Sequence, residues 1–256
     1  MAKPVTDAVI VGGGPAGLTA AIALAGAGVE TVLIAKGSTG PDHRTTMLLA
    51  GSAKALDVLG VWDRCRQHAA PLRTLRIIDD TARLLRAPEV SFAAGEIGLE
   101  AFGENIENRF LIAALQARAR ELGAGLTVID DEAEAVEIAD DRVTVKLKAA
   151  GAISARLAAG ADGRNSLCRA AAGIEVHTRS YPQIALTLNL AHSRPHHDTS
   201  TELHTEAGRS HSCRCRGNAR AWCSRSVRPK ALTFPHCPTM TWPRRSSGAR
   251  IRSSAR

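Results

Sequence analysis

The chain has 256 residues, of which 45% are hydrophobic and 23% are charged, a composition suited to one large or two small soluble domains. Its net charge of +8 would favour nucleic acid or an anionic surface as a partner, but the charge is unevenly distributed. Residues 1–206 hold 21 of the 33 basic residues and all 25 acidic ones, a net charge of −4, whereas residues 207–256 hold the other 12 and no acid. Because all the excess charge lies in the last segment, we expect no nucleic-acid partner for residues 1–206.

Neither a leader sequence nor a membrane span is predicted. A strand-like apolar run begins at residue 8 with no charged and apolar leader before it, and no apolar run approaches the roughly 18 residues that a membrane helix needs. Residues 1–206 contain two scattered cysteines, Cys65 and Cys168, which fits a reducing compartment. We therefore expect a cytoplasmic protein.

The first 34 residues have the pattern of a strand, a helix and a second strand. Residues 8–11 and 31–34 are short apolar runs typical of buried parallel strands, and the alanine-rich residues 18–27 between them favour a helix. The pattern predicts one complete βαβ unit.

A glycine-rich turn joins the first strand to the helix. Gly12, Gly14 and Gly17 have G-x-G-x-x-G spacing and enclose Pro15 and Ala16. The first glycine permits a tight turn, the second lets the backbone approach a pyrophosphate, and the third allows the helix to pack closely on the strand. Between a strand and a helix, this spacing predicts a dinucleotide site. Ala35 follows the second strand, where such sites usually have an acid that binds the adenosine ribose.

A second motif, G-A-D-G-x-x-S-x-x-R, begins at Gly160 and includes Asp162 and Gly163. Together with the glycine-rich turn, it resembles the flavoprotein aromatic hydroxylases of the para-hydroxybenzoate hydroxylase type. Residues 180–206 are most similar to the ubiquinone-biosynthesis hydroxylases of that family. The resemblance implies that FAD is the cofactor, that NAD(P)H reduces it, and that Asp162 and Gly163 lie near the flavin pyrophosphate.

The resemblance implies two further cofactor contacts. Arg44 matches the arginine that contacts the cofactor, and Arg109 lies in a stretch similar to a helix that borders the flavin. Since an exposed arginine is the common alternative, both assignments are expectations. We assign no catalytic residue.

The implied architecture is an α/β fold, a Rossmann-like FAD-binding domain with an inserted and incomplete β-sheet substrate domain. Residues 1–71 and 101–179 are assigned to the FAD-binding domain, and residues 72–100 and 180–206 to the substrate domain. Within them, apolar spacing predicts a helix over residues 47–60 and another that includes residues 106–122, with Asn105 or Asn108 as its N-cap. An alternating segment with Asp79 and Asp80 at its centre predicts a hairpin.

Residues 207–256 are interpreted as a non-homologous, disordered basic tail. Arginine, serine, cysteine and proline without acids are typical of GC-rich coding sequence read out of frame, so we predict a change of reading frame near residue 208. A basic tail that binds RNA or anionic lipid is an alternative. Metal binding is not expected at the zinc-like group His211, Cys213, Cys215 and Cys223 or at the histidines His192, His196, His197 and His204, because neither has the usual ligand spacing.

The resemblance implies an FAD-dependent monooxygenase that hydroxylates an aromatic ring in ubiquinone biosynthesis, where the substrates are polyprenylated. With the family's C-terminal part replaced by the tail, we expect the chain to bind FAD weakly or not at all and to turn over no substrate. Another flavin oxidoreductase of the same fold, such as a reductase or halogenase, and a non-catalytic nucleotide-binding protein are the alternatives. Peripheral contact with the inner membrane and the oligomeric state are left open.

Overall fold

The computed structural model describes residues 5–37, 40, 42–181, 184–191, 195–206, 208–214 and 219–226. The strands, in chain order, are β1 Thr6–Val11, β2 Thr31–Ile34, β3 Thr45–Leu49, β4 Ala70–Leu72, β5 Thr74–Asp79, β6 Val90–Ala93, β7 Gly103–Glu107, β8 Leu126–Ile129, β9 Ala133–Ile138, β10 Val143–Leu147, β11 Gly151–Gly160, β12 Ile184–Ala191, β13 Thr199–Thr205, β14 Gly208–Arg214 and β15 Ala219–Ser226. The α-helices are α1 Pro15–Gly26, α2 Ala50–Val58, α3 Trp62–Cys65, α4 Asn108–Glu121 and α5 Leu167–Ala171, with short 3-10 helices at Arg66–His68, Ala94–Ile97 and Gly123–Gly125.

The first sheet has the strand order β8-β2-β1-β11-β10-β9. Strands β8, β2, β1 and β11 are parallel neighbours, and β10 and β9 continue the sheet as antiparallel strands. The two predicted apolar strands are confirmed as β1 and β2, and all four residues of β2 are buried. Strand order and direction agree with the Rossmann-like arrangement that the sequence predicts.

Helices α1 and α4 cover one face of this sheet. Leu18 and Ile22 of α1 are buried with Leu111 and Leu115 of α4 in the larger of two core clusters. The predicted helix over residues 18–27 is confirmed, although it starts three residues earlier, at Pro15, because proline suits the first turn of a helix. Packing on this face fixes the orientation of α1 against the ends of β1 and β11.

The second sheet has the order β12-β15-β14-β13-β5-β6. The predicted hairpin around Asp79 and Asp80 is confirmed as the antiparallel pair β5 and β6, joined by residues 80–89. Strand β13 lies parallel to β5, so residues from 72–100 and from 180–206 share one sheet. The fold class is confirmed, and the domain boundaries remain a proposal.

The structure corrects the helix predicted over residues 47–60. Residues 45–49 form strand β3, which pairs with β7, and the helix is shorter, Ala50–Val58. The two strands lie so close together that a Cβ atom on Gly103 would be 2.1 Å from the carbonyl oxygen of Leu48. Strand pairing with a distant segment overrides the local helical spacing.

The start of the next helix also differs from the prediction. Asn105 is buried in β7, and the residue before α4 is Glu107, with no side-chain cap. Neither asparagine therefore caps α4 with its side chain.

Part of the expected disordered tail forms strands. Residues 208–214 and 219–226 are β14 and β15, which pair with each other and with β13 and β12. Sheet structure therefore continues to Ser226, beyond the boundary at residue 206. Residues 227–256 lie outside the described residues.

Candidate cofactor site at the carboxyl edge of the first sheet

The turn after β1 is closed by direct backbone packing. A Cβ atom on Gly12, whose φ is +116°, would lie 2.2 Å from the carbonyl oxygen of Ala161. A Cβ atom on Gly17 would lie 1.8 Å from the carbonyl oxygen of Gly12. Any larger residue at either position would force the turn away from β11 or from α1. Two of the three motif glycines are thus required by the fold itself.

Gly14 differs from them because no atom of the described residues lies near its side-chain position. Its φ is −73°, and a Cβ atom there would have no neighbour within 4 Å. It is the N-cap of α1, with Pro15 at the start of the helix, no side-chain cap and no acidic residue in the first turn. The N–H groups of the first turn, including that of Ala16, have no partner within the helix and, with the helix dipole, favour an anion. Open space beside unpaired N–H groups fits a pyrophosphate.

Asp162 and Gly163 lie beside this turn. Strand β11 pairs with β1 up to Gly160 and Val11, and the N–H of Ala161 donates to the carbonyl oxygen of Val11 at 2.7 Å. The chain then turns at Gly163, which has a φ of +84°. The structure therefore brings the two sequence motifs together at the carboxyl edge of the sheet, where open α/β sheets bind ligands.

One oxygen of Asp162 is used by the protein and the other is not. Its Oδ2 accepts from the N–H groups of Leu167 and Cys168 at 2.6 and 3.4 Å. Its Oδ1 is buried and has no hydrogen-bond partner among the described residues. A buried acceptor without a donor is costly, and a ligand hydroxyl would satisfy it.

The carboxyl of Asp162 is held in its charged form. Burial opposes ionisation, but hydrogen bonds from Ser166 and from the backbone N–H groups of Leu167 and Cys168 outweigh it and lower the pKa of Asp162. The side chain is therefore an ionised acceptor at neutral pH. The adjoining N-cap of α5, Ser166, accepts from the N–H of Arg169 at 3.0 Å.

Arg44 and Arg109 lie together, joined through Asp42. The Nε and Nη2 atoms of Arg44 donate to the Asp42 carboxylate at 2.9 and 2.7 Å, and the N–H of Arg109 donates to the carbonyl oxygen of Asp42 at 2.9 Å. Asn108 Nδ2 also donates to Asp42, at 2.9 Å. The guanidinium of Arg44, then the amide of Asn108, hold the pKa of Asp42 well below its ordinary value against the opposing effect of burial.

The guanidinium of Arg109 is held by its own neighbours. Its Nε donates to Glu107 at 2.9 Å, and its central carbon lies 4.2 Å from the centre of the Phe110 ring. Phe110 in turn stacks on His68 with ring centres 3.8 Å apart. In the described part of the chain, neither Arg44 nor Arg109 donates a hydrogen bond to the glycine-rich turn, so their cofactor contacts stay predictions.

Sequence reasoning missed Asp42 and Asn108. The signal for Asp42 was its position two residues before Arg44, since an aspartate commonly accepts from the backbone N–H two residues later. That hydrogen bond is present at 3.0 Å. The position of Asn108 could not be read locally, because β3 and β7 must pair before it meets Asp42.

Ala35 lies directly after β2, as the sequence predicts. Its N–H donates to the carbonyl oxygen of Ile129 at 3.0 Å, and a Cβ atom on Gly13 would lie 2.5 Å from the Cβ of Ala35. Residue 35 therefore faces the glycine-rich turn without an acidic group.

No group of three or more potential ligands within the described residues is arranged to hold a metal. Of the candidate ligands in the sequence, His192 and the side chains of Cys213, Cys215 and Cys223 lie outside the described residues. Within the described ranges, no helix has the length and apolar composition needed to span a membrane.

Comparison with known proteins identifies relatives over most of the chain. The chain is 33% identical to the ubiquinone hydroxylase UbiL of Rhodospirillum rubrum over 213 residues, which are 81% of this chain and 48% of that protein. It is 31% identical to the 3-demethoxyubiquinol 3-hydroxylase of Escherichia coli over 218 residues, 81% of this chain and 54% of that protein. The chain thus spans about half the length of these relatives.

Solved structures share the fold at lower identity. The p-nitrophenol 4-monooxygenase PnpA of Pseudomonas putida superposes with a TM-score of 0.73 at 19% identity, over 90% of this chain and 59% of that one. A single-residue variant of HpxO from Klebsiella pneumoniae, solved in complex with FAD, superposes with a TM-score of 0.69 at 18% identity, over 90% of this chain and 59% of that one.

A family model described as an FAD binding domain matches residues 5–242. The match extends past Gly208, where the composition of the chain changes. It includes both motifs at the carboxyl edge of the first sheet. Within the described residues, the space at Gly14, the first-turn N–H groups of α1 and the partnerless oxygen of Asp162 fit the pyrophosphate and hydroxyl groups of FAD. The chain therefore belongs to the FAD binding domain family.

Proposed function

We propose that this chain is the flavin-binding part of an FAD-dependent monooxygenase that hydroxylates an aromatic ring in ubiquinone biosynthesis. One observation carries the proposal: the glycine-rich turn and Asp162 meet at one edge of the sheet, in a chain 33% identical to a ubiquinone hydroxylase. The N–H groups after Gly14 bind the pyrophosphate, and the free Oδ1 of Asp162 accepts from a hydroxyl of the cofactor.

The two arginines are proposed as further cofactor contacts. Asp42 joins Arg44 to Asn108 and to the backbone of Arg109, so the two arginines start from neighbouring backbone positions. Contact with the cofactor requires each guanidinium to exchange its present carboxylate partner for the cofactor. The side chain of Arg44 is 76% exposed, so exchange of Asp42 for a phosphate or flavin carbonyl needs little desolvation.

When bound, FAD supplies the redox chemistry that the side chains lack. The proposed hydroxylation consumes one aromatic C–H, one O₂, one NAD(P)H and one proton, and releases the phenol, water and NAD(P)⁺.

The proposed substrate is a small aromatic molecule, polyprenylated as ubiquinone precursors are. Such a substrate is supplied by the membrane, so we place the protein in the cytoplasm with peripheral contact at the inner membrane.

FAD titration of the purified chain tests the cofactor site. Of the two outcomes expected from the sequence, weak binding or none, the partnerless oxygen of Asp162 and the space at Gly14 favour weak binding. We therefore expect saturable quenching of flavin fluorescence with one FAD per chain, and a larger dissociation constant than that of the full-length relatives. A chain that leaves flavin fluorescence unchanged at millimolar protein would contradict the proposal.

Hydroxylation is tested on the product of the gene with its reading frame restored after codon 208. With a polyprenylated phenol and NAD(P)H, we expect a product that has gained one oxygen atom, detected by mass spectrometry, and equal consumption of NAD(P)H and O₂. Halide-dependent formation of a halogenated product would favour a halogenase, and NAD(P)H oxidation with no oxygen insertion would favour a reductase.

A further inference from the structure

The second strand of the FAD-binding sheet lacks the acid that Rossmann-type sites use for the adenosine ribose. Ala35 occupies that position, against the glycine-rich turn. The neighbouring strand β8 runs parallel to β2, with Ile34 paired to Ile129. Asp130 directly follows β8, so its carboxylate lies at the same edge of the sheet as Ala35, which directly follows the neighbouring strand β2.

The side chain of Asp130 crosses toward the end of β2. Its Oδ1 accepts from the N–H of Gly37 at 2.7 Å. Both carboxylate oxygens lie within 3.5 Å of the position that a Cβ atom on Gly37 would occupy. The carboxylate is therefore held two residues from Ala35, by a strand and a turn that are both fixed by backbone pairing.

The two acids that follow Asp130 are already engaged. The carboxylate of Asp131 accepts from the backbone N–H groups of Glu132, Ala149 and Ala150 at 2.7 to 3.0 Å. Glu132 pairs with Lys36 at 2.7 Å. Asp130, by contrast, is exposed and its Oδ2 has no hydrogen bond in the described part of the chain.

We propose that Asp130 binds the adenosine ribose of FAD, in place of the acid that is missing at residue 35. The carboxylate is anchored through one oxygen and presents the other to solvent, which leaves an acceptor for a ribose hydroxyl. This inference rests on the proposed FAD site. It assigns ribose binding to the third parallel strand of this chain in place of the second.

The test compares ligands that differ by one ribose hydroxyl. Dissociation constants for FAD, ADP, 2′-deoxy-ADP and 3′-deoxy-ADP are measured by flavin fluorescence and by competition with FAD, for the wild-type chain and for Asp130→Asn. We expect Asp130→Asn to weaken ADP binding about tenfold, the size of one charge-assisted hydrogen bond. We also expect the wild-type chain to bind at least one deoxy ligand about tenfold more weakly than ADP. Asp130→Asn should bind that ligand and ADP with equal affinity.

Asp131→Asn is the matched control. It removes the same charge one residue away, from a carboxylate that is bound to the backbone, so the ADP affinity should stay at the wild-type value. The inference alone would be overturned if the wild-type chain binds FAD and ADP, and Asp130→Asn discriminates between ADP and its deoxy analogues as strongly as wild type does. If wild type binds neither FAD nor ADP, the proposed FAD site fails, and the assignment of Asp130 fails with it.

Discussion

Gly12 and Gly14 belong to the same motif but are required for different reasons. Gly12 has a φ of +116° and touches the backbone of Ala161, so the fold itself excludes a side chain there. Gly14 has an ordinary φ and open space around it, so only a ligand would exclude a side chain. Substitutions at these two glycines can therefore separate an effect on folding from an effect on ligand binding.

We expect Gly14→Val to cost about 1 kcal/mol or less in the free energy of unfolding, since valine is only a poorer N-cap than glycine. The same variant should weaken FAD binding at least about tenfold, because its methyl groups occupy the space beside the helix N-terminus. Gly12→Val should destabilise the chain by about 3 kcal/mol through backbone overlap and a strained φ. Urea unfolding and flavin fluorescence measure the two effects, and FAD binding by Gly14→Val at the wild-type affinity would contradict this separation.

Asp42 makes the free energy of unfolding depend on pH. The carboxyl has a lower pKa in the folded chain than its ordinary value of 3.8, chiefly because of its hydrogen bonds with Arg44. A lowered folded-state pKa means that the stabilisation is complete above the ordinary pKa and is lost as pH falls through the folded-state pKa.

Asp42→Asn should therefore lower the free energy of unfolding at pH 7 by about 1 kcal/mol, a value kept small because Arg44 is exposed. The difference from wild type should shrink as the pH falls below about 4. Urea denaturation at several pH values measures this. Asp140→Asn serves as the control and should behave like wild type, because this exposed carboxylate has no ion pair or side-chain hydrogen bond in the described part of the chain. A constant difference across the pH range would show that Asp42 acts through packing and not through its charge.

At the scale of elements, the last two strands differ from the rest of the second sheet. Their register places Arg209 opposite Arg225 and Arg214 opposite Arg220. These two strands contain four arginines and no acidic residue, whereas β5 contains Asp79 and β13 contains Glu202. This agrees with the prediction that the segment is read out of frame.

For the whole molecule, charge and composition divide the chain near Gly208, whereas the sheet continues to Ser226. Backbone pairing needs only hydrogen-bonding groups, which every residue but proline supplies, so a segment can complete a sheet without a suitable sequence. Strand formation and correct reading frame are therefore separate questions.

Sequencing of the gene decides the second question. We expect an insertion or deletion of one or two bases near codon 208, by alignment with the gene of a full-length relative. The corrected frame should restore acidic residues, which are absent from residues 207–256. An uninterrupted frame that aligns codon by codon with a relative would contradict this prediction.

The sequence by itself predicted the βαβ unit and the two glycine-containing motifs, because these depend on local spacing of glycines and apolar residues along the chain. The family followed from the resemblance that these motifs carry. It did not determine β3, since that strand forms only by pairing with β7, far along the chain. Only the tertiary structure showed that Gly12 touches Ala161, that Asp42 joins Arg44 to Asn108, and that Asp130 reaches the end of β2. Each of these contacts crosses between segments distant in the chain or depends on a side-chain direction that spacing does not fix.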